Sequence, residues 1–367
     1  MAVGPTGTWL AERGTNPVSA VLLVRTDCTD QVRSGAPDPG GAKMKRRQFL
    51  ATLGAASVSR PMLARSQPVL PRIGFLGAAT PNGYARQVES LKLGLRELGY
   101  EDGRDVLLDF RWALGDYARL AALARELVDS RPNVIVTHGY PATAALKQAS
   151  RDVPIVVATT SDIAMTGLVD SLAHPGGTIT GLSFFAPQIS AKRLEILKEC
   201  IPGLTSLATV FNVANPVAQP DLRALGSTAR SLGVELRPVA IQSPQEFEAA
   251  FATIASSRVG AVSLIHDALL TDNVRTLANL CLKHRLASIG EGPYVKAGGL
   301  VGYGPDFYDM FRRSASYVAK ILRGSHPRDL PIEQPIKFDY VFNLRTADYL
   351  GLEVPPSALA RASELVE

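Results

Sequence analysis

The chain has 367 residues, 46% hydrophobic and 20% charged, a length that fits two domains of ordinary size and a balance that excludes disordered or fibrous classes. Residues 1–66 carry nine Lys/Arg and four Asp/Glu, which leaves 30 of each sign in the rest of the chain. The net charge of +5 therefore belongs to the N-terminal segment, and the body has no overall electrostatic case for DNA or RNA.

That segment reads as an export leader. Residues 1–43 are rich in Gly, Pro and Thr and have no pattern. Met44–Leu50 is MKRRQFL, a mildly apolar run Phe49–Val58 follows, and Ala64-Arg65-Ser66 offers small residues at alternate positions. This order gives a charged region, an apolar region and a cleavage site, and the Arg46-Arg47 pair resembles a twin-arginine signal. Lys45 stands where Ser or Thr is preferred. The apolar run is too short to span a membrane permanently. No Cys stands directly after it to take a lipid, so a periplasmic protein without a lipid anchor is expected. Cys200 and Cys281 each sit in a helical pattern and read as free buried thiols. No CxxC and no Cys–His spacing calls for a metal, and no motif calls for a cofactor.

From Pro71 the pattern alternates. Ile73–Gly77 reads as a strand, and Val88, Leu91, Leu95 and Leu98 share a helical face that ends at Gly99. Asp105–Arg111 is a strand, and Leu120–Leu127 marks a second amphipathic helix. Val134–Val136 is β-branched and too short for a helix, so it is a buried strand. Pro141 then suits the start of a helix, Ala142–Ala149, and Ile155–Ala158 is the next strand. Such a β-α-β unit has parallel strands. Met165–Ala173 looks helical, Thr178–Ser183 is a strand and Gln188–Ile201 a helix. The order then repeats. Strands are expected at Leu207–Phe211, Val234–Ile241, Ala261–Ile265, Ala287–Ile289 and Leu300–Tyr303, with helices at Pro216–Leu232, Pro244–Ser256 and Asp272–His284 between them. A long helix Asp306–Arg323, a Pro-rich segment, a strand Lys337–Asn343 and two short helices complete the chain. The fold class is α/β, with two similar doubly wound parallel-sheet lobes. One lobe takes residues 70–183 with about 305–335, the other 184–304 with about 336–367. Hinge crossings near Gly181–Phe184, Gly302–Gly304 and Pro335–Asp339 would let the lobes close on a ligand. Gly302 and Gly304 are read there as cheap points of backbone rotation.

Open parallel sheets bind ligands at the carboxyl ends of their strands. That edge holds Tyr140, Thr160, Asp162 and Ser183 in the first lobe, and Asn212, Asn215, Asp267, Glu291 and Tyr303 in the second. The helix after Pro141 aims its amide donors and positive dipole end at the same edge. Neutral donors on one side and carboxylates on the other suit a small zwitterion. Its carboxylate would sit on hydroxyls and helix amides, and its ammonium on Asp267 or Glu291. Tyr140, Phe184 and Tyr303 could cover an aromatic group. Asp267 equally fits a helix cap, and Tyr303 simple packing. In the capture reading Asp267 is an exposed cleft residue whose replacement by Asn barely affects folding. His138 and His266 stand at strand ends facing the cleft and also suit local hydrogen bonding. No G-x-S-x-G, H-E-x-x-H or Walker loop is present, so no catalytic residue is assigned.

Several stretches carry a resemblance. They include GLRELGYEDGRDV (Gly94–Val106), GLVDSLAHPGGTITGLS (Gly167–Ser183), AKRLEILKECIPG (Ala191–Gly203), AGGLVGYG (Ala297–Gly304) and the terminal VPPSALARASELVE (Val354–Glu367). With these the chain resembles the periplasmic substrate-binding components of ABC transporters, in the group that includes tryptophan- and tyrosine-binding proteins. The resemblance runs from about residue 72 to the C-terminus. It implies the type I periplasmic-binding fold, no catalysis, and delivery of a small solute to a permease; a monomer is expected. The chain has Gly139-Tyr140-Pro141 where the family usually has Gly-Thr-Pro, and keeps Asp162 and Asp267 without the prolines that commonly follow them. Alternative readings are a ligand sensor for a signalling partner, or a cleft hydrolase or lyase using His138, Asp162 or Asp267.

Overall fold

The computed structural model describes residues 69–367, so the leader reading lies outside the described residues. The twelve described strands form two sheets, one of five strands and one of seven. The first sheet is built from β1 (Arg72–Gly77), β2 (Leu107–Trp112), β3 (Val134–His138), β4 (Ile155–Thr159) and β5 (Ile179–Gly181). Its order is β2-β1-β3-β4-β5 and every pairing is parallel. The inner strands β3 and β4 are buried at every position, as β-branched runs covered by helices on both faces must be. Helices α1 (Ala85–Glu97), α2 (Leu120–Asp129) and α3 (Tyr140–Ala149) connect them.

After α4 (Ala186–Cys200) the chain builds the second sheet. Its strands are β6 (Ser206–Asn212), β7 (Glu235–Ile241), β8 (Ala261–Leu264), β9 (Ser288–Gly290), β10 (Val301–Pro305), β11 (Phe338–Asn343) and β12 (Glu364–Val366). The order is β12-β11-β10-β9-β8-β6-β7, parallel except between β10 and β11. Helices α5 (Ala218–Ser231), α6 (Phe247–Ser256), α7 (Ala268–Asp272), α8 (Val274–Lys283) and α9 (Gly292–Lys296) cover it. The next helix, α10 (Phe307–Leu322), returns to the first lobe and packs on α1 and β4. Two short helices, α11 (Leu344–Leu350) and α12 (Pro356–Leu359), precede β12.

The lobes are therefore less alike than the repeated order implies. The second carries an antiparallel pairing and an added edge strand at the C-terminus, where no strand was expected. Residues 165–173 form turns instead of the expected helix. Asp162 and Gly167 adopt φ of 37° and 71°, and Lys147 Nζ bonds the Gly167 and Leu168 carbonyls at 2.9 and 3.0 Å. The expected helix Asp272–His284 is α8, and the short α7, which was not expected, precedes it across Asn273. Three chain crossings join the lobes and bond one another. Ser183 N donates to Glu333 O at 2.9 Å, Glu333 N to Gly181 O at 3.0 Å, and Asp306 N to Lys337 O at 3.0 Å. Gly302 lies inside β10, and a Cβ there would stand 2.7 Å from Glu291 O, so close packing explains this glycine better than hinge rotation. Cys200 and Cys281 are free and buried. Among the described residues no helix is long and apolar enough to cross a membrane.

Candidate functional site

The carboxyl-edge loops of the two sheets face each other. On the first lobe, the register of β3 against β4 shifts between Thr137 and His138, and this irregularity re-aims His138. His138 is 1% exposed; its Nε2 accepts from Ala78 N at 3.3 Å, and its ring stacks on Tyr84 at 4.2 Å. That bond places the remaining ring proton on Nδ1. Burial, and then the nearby His266, push its pKa down to about 3, so the ring stays neutral.

Gly139 caps α3 at φ 72°, a conformation that excludes most side chains. Its own N–H bonds Thr159 O at 2.7 Å, and Pro141 has no N–H. The amides of Tyr140 and Ala142 thus open the helix without intrahelical acceptors. One strand over, Thr160 is 1% exposed and its hydroxyl has no hydrogen-bond partner among the described residues.

On the second lobe, Asp267 is 3% exposed and caps α7 through Leu269 N at 2.8 Å. Asn212 Nδ2 donates to its Oδ1 at 3.0 Å and Asn215 Nδ2 to its Oδ2 at 2.8 Å. Tyr117 of the first lobe reaches across the cleft, its hydroxyl 3.0 and 2.9 Å from the two oxygens. All four partners are neutral, and among the described residues no ion pair involves Asp267. Burial raises its pKa, and these donors oppose the rise. Burial and the Asp267 charge also raise the Tyr117 phenol, so it remains a donor.

Glu291 leaves β9 with a different environment. Its Oε1 contacts His266 Nδ1, and Arg193 Nη2 lies 4.0 Å away. Burial alone would raise the Glu291 carboxyl; His266 and Arg193 outweigh that and hold it below its ordinary value. His266 stacks on Phe307 at 4.6 Å and meets the edge of Phe184 at 5.1 Å, which joins the acid to an aromatic wall.

The structure thus brings Asn212, Asn215 and Asp267 together, and sets Glu291 beside His266. It places the other sequence candidates differently. Ser183 Oγ is already engaged, accepting from Ile163 N at 3.1 Å. Asp162 is half-buried at the first crossing, its amide donating to Phe184 O at 2.9 Å. Tyr140 is half-buried at the start of α3. The Tyr303 ring packs 6.3 Å from both Phe338 and Tyr340 and lines a hinge-side pocket with Phe185, Gln188 and Pro335, away from the Asp267 cluster. The expectation of an exposed Asp267 is corrected: it is buried, so its replacement also bears on folding.

Sequence reasoning missed Tyr84, Tyr117, Asp272 and Arg193. Tyr84 is buried against His138, and its phenol is raised by burial and then by Glu291 and Asp267 of the facing lobe. Arg193 had one readable signal: Ile189, Arg193 and Leu197 recur at four-residue spacing on the buried face of α4.

Two wound α/β lobes, three mutually bonded crossings and facing polar loops between the lobes define a two-lobed solute-binding protein of the periplasmic-binding type. The chain matches the family described as ABC transporter substrate binding protein over residues 80–366 and belongs to it. It is similar to a tyrosine-binding protein of Clostridioides difficile (strain R20291), 23% identical over 263 residues, or 71% of this chain and 74% of that protein. A solved conserved domain protein from Vibrio cholerae O1 biovar El Tor superposes with a TM-score of 0.76 at 26% identity, covering 80% of this chain and 99% of that one. A solved ABC domain from Streptococcus pneumoniae in complex with L-Trp gives 0.73 at 23% identity, covering 80% of this chain and 100% of that one. The protein is accordingly a receptor that captures a small solute for an ABC transporter.

Proposed function

We propose that the solute is an amino acid, with an aromatic side chain favoured, bound between the lobes and handed to a permease after export of the protein to the periplasm. The observation that carries this reading is Asp267: a buried carboxylate in the cleft whose recorded partners are all neutral. An uncompensated buried charge is costly, and a bound ammonium relieves it. The opposite wall supports the other end of a zwitterion. The Thr160 hydroxyl is unpartnered, and the start of α3 offers amides and a positive dipole end. Phe184, Phe307, His266 and Tyr84 give apolar surface for a ring. The names of the clostridial and pneumococcal relatives, one tyrosine-binding and one bound to L-Trp, point the same way.

A thermal-shift screen tests the reading. It would compare the twenty amino acids with tyramine, which lacks the carboxylate, and 3-(4-hydroxyphenyl)propionate, which lacks the ammonium. A cognate ligand at 100 times its Kd adds about 2.7 kcal/mol. Both one-ended analogues are expected to lose most of that shift; equal shifts from either would overturn the zwitterion. Asp267→Asn keeps the shape and removes the charge. It is expected to weaken amino-acid binding by roughly 1.5–3 kcal/mol, about tenfold to a hundredfold in Kd by calorimetry. Asn can still cap α7, but its Nδ2 would replace one of the two oxygens that accept from Asn212 and Asn215, so about 1 kcal/mol of stability should go with it. Unchanged affinity would reduce Asp267 to a cap and a lobe contact.

A further inference from the structure

One short helix of the second lobe carries, at its two ends, both carboxylates that the first lobe grips. Asp267 caps the N-terminus of α7 and Asp272 is its last residue. Tyr117, in the turn before α2, bonds Asp267 at 2.9 and 3.0 Å. Thr80, in the loop after β1, bonds Asp272 twice: its N–H donates to Oδ2 at 3.1 Å and its hydroxyl to Oδ1 at 2.7 Å. The Thr80 hydroxyl also accepts from Gly83 N at 3.1 Å, so the loop is curled around the incoming side chain.

Gly83 completes the seat. A Cβ on it would stand 1.4 Å from Asp272 Oδ1 and 3.0 Å from its backbone Cα. That contact crosses between lobes, so the missing side chain leaves room for docking and serves neither core. Gly115, two residues before Tyr117, approaches Leu269 of α7 less closely: a Cβ there would make only an ordinary contact, 3.6 Å from Leu269 Cδ1. Donors, acceptors and space are thus matched across the cleft at two points on one element.

We propose that Thr80 and Tyr117 are positioning residues that latch the lobes together through Asp272 and Asp267, and that Gly83 is the steric seat of this latch. They set how long the closed receptor retains its solute. Of these groups only Asp267 also meets the solute in the reading above, and the assignment of amino-acid probes rests on that reading. Because most affinity differences among variants of one interface lie in dissociation, the latch should show in the off-rate.

The test uses Tyr117→Phe, Thr80→Val and Gly83→Ala. Stopped-flow release of L-tyrosine and L-tryptophan would be measured together with hydrogen exchange at the Thr80 amide without solute. That amide donates across the cleft to Asp272, so its protection reports latch formation directly. Tyr117→Phe and Thr80→Val should each speed release about tenfold, equivalent to about 1.4 kcal/mol, with association little changed. Gly83→Ala should speed release at least as much and abolish Thr80 protection, while the melting temperature stays close to wild type. Variants with wild-type release and wild-type Thr80 protection would overturn the latch, as would a lowered melting temperature with neither of those changed. If neither amino acid binds the wild type, the amino-acid reading fails, and loss or retention of Thr80 protection in Gly83→Ala still decides the latch.

Discussion

Replacing Arg193 by Met is expected to cost about 3–5 kcal/mol of folding stability, measured by chemical denaturation. Arg193 is 2% exposed, and its guanidinium is spread over three elements. Nε donates to Tyr303 O at 2.7 Å, Nη1 to Leu264 O at 2.9 Å, and Nη2 faces Glu291 at 4.0 Å. Burial lowers its pKa, while Glu291 and Asp221 pull the other way, so the charge is held by its neighbours. Met fills a similar volume and leaves two buried carbonyls and two acids without their cation. Arg193→Lys should recover little, because an ammonium cannot make the planar fork. Adding Asp221→Asn to Arg193→Met should return part of the loss. The Asp221 pKa is raised to about 6 by burial, with Ser190 and Arg193 opposing that rise, and its Oδ1 has no partner. A loss below about 1 kcal/mol in Arg193→Met would remove Arg193 as the pin between α4 and the ends of β8 and β10.

Acidification should destabilise the protein through His138. Its pKa is lowered by burial to about 3, against an ordinary 6.5. The unfolded chain therefore binds a proton as pH falls below 6.5, while the folded chain stays neutral. The contribution of His138 is complete above pH 6.5 and is lost as pH falls toward 3, at about 1.4 kcal/mol per pH unit. Asp221 works in the opposite sense: its raised carboxyl takes up a proton below pH 6, and folding gains down to the ordinary carboxylate range. The two offset each other in the wild type, so a difference curve is needed. His138→Gln keeps an acceptor for the Ala78 amide and cannot titrate. The wild-type advantage over this variant should shrink by about 2–3 kcal/mol between pH 6.5 and 4.5. Parallel stability curves for the two proteins would show that burial does not hold His138 neutral.

The parallel architecture was legible because strands covered on both faces must be continuous apolar runs. Val134–Val136 and Ile155–Val157 are such runs, and nothing local competes with them. Residues 165–173 were misread for the converse reason. Met165, Leu168, Val169 and Leu172 have helical spacing, yet Met165 is 86% exposed and Lys147, twenty residues earlier, binds the carbonyls a helix would use. A periodic pattern reports only that a face is buried, and turns packed on a core also bury one.

The candidate site divides in the same way. Strand ends locate the carboxyl edge, so Thr160, Asn212, Asn215, Asp267 and Glu291 could be named from position alone. Their partners could not. Tyr117 stands 150 residues before Asp267, Thr80 192 before Asp272, and Arg193 71 before Leu264. The sequence by itself determined the α/β class, the two windings and the edge proposed here to bind a solute, because those depend on short-range periodicity and on the fixed hand of β-α-β connections. Only the tertiary structure decided which acid is neutralised by a cation, which is held by neutral donors, and which glycine is a seat. Those depend on distances across the cleft and on burial, and neither is encoded in any local stretch of the chain.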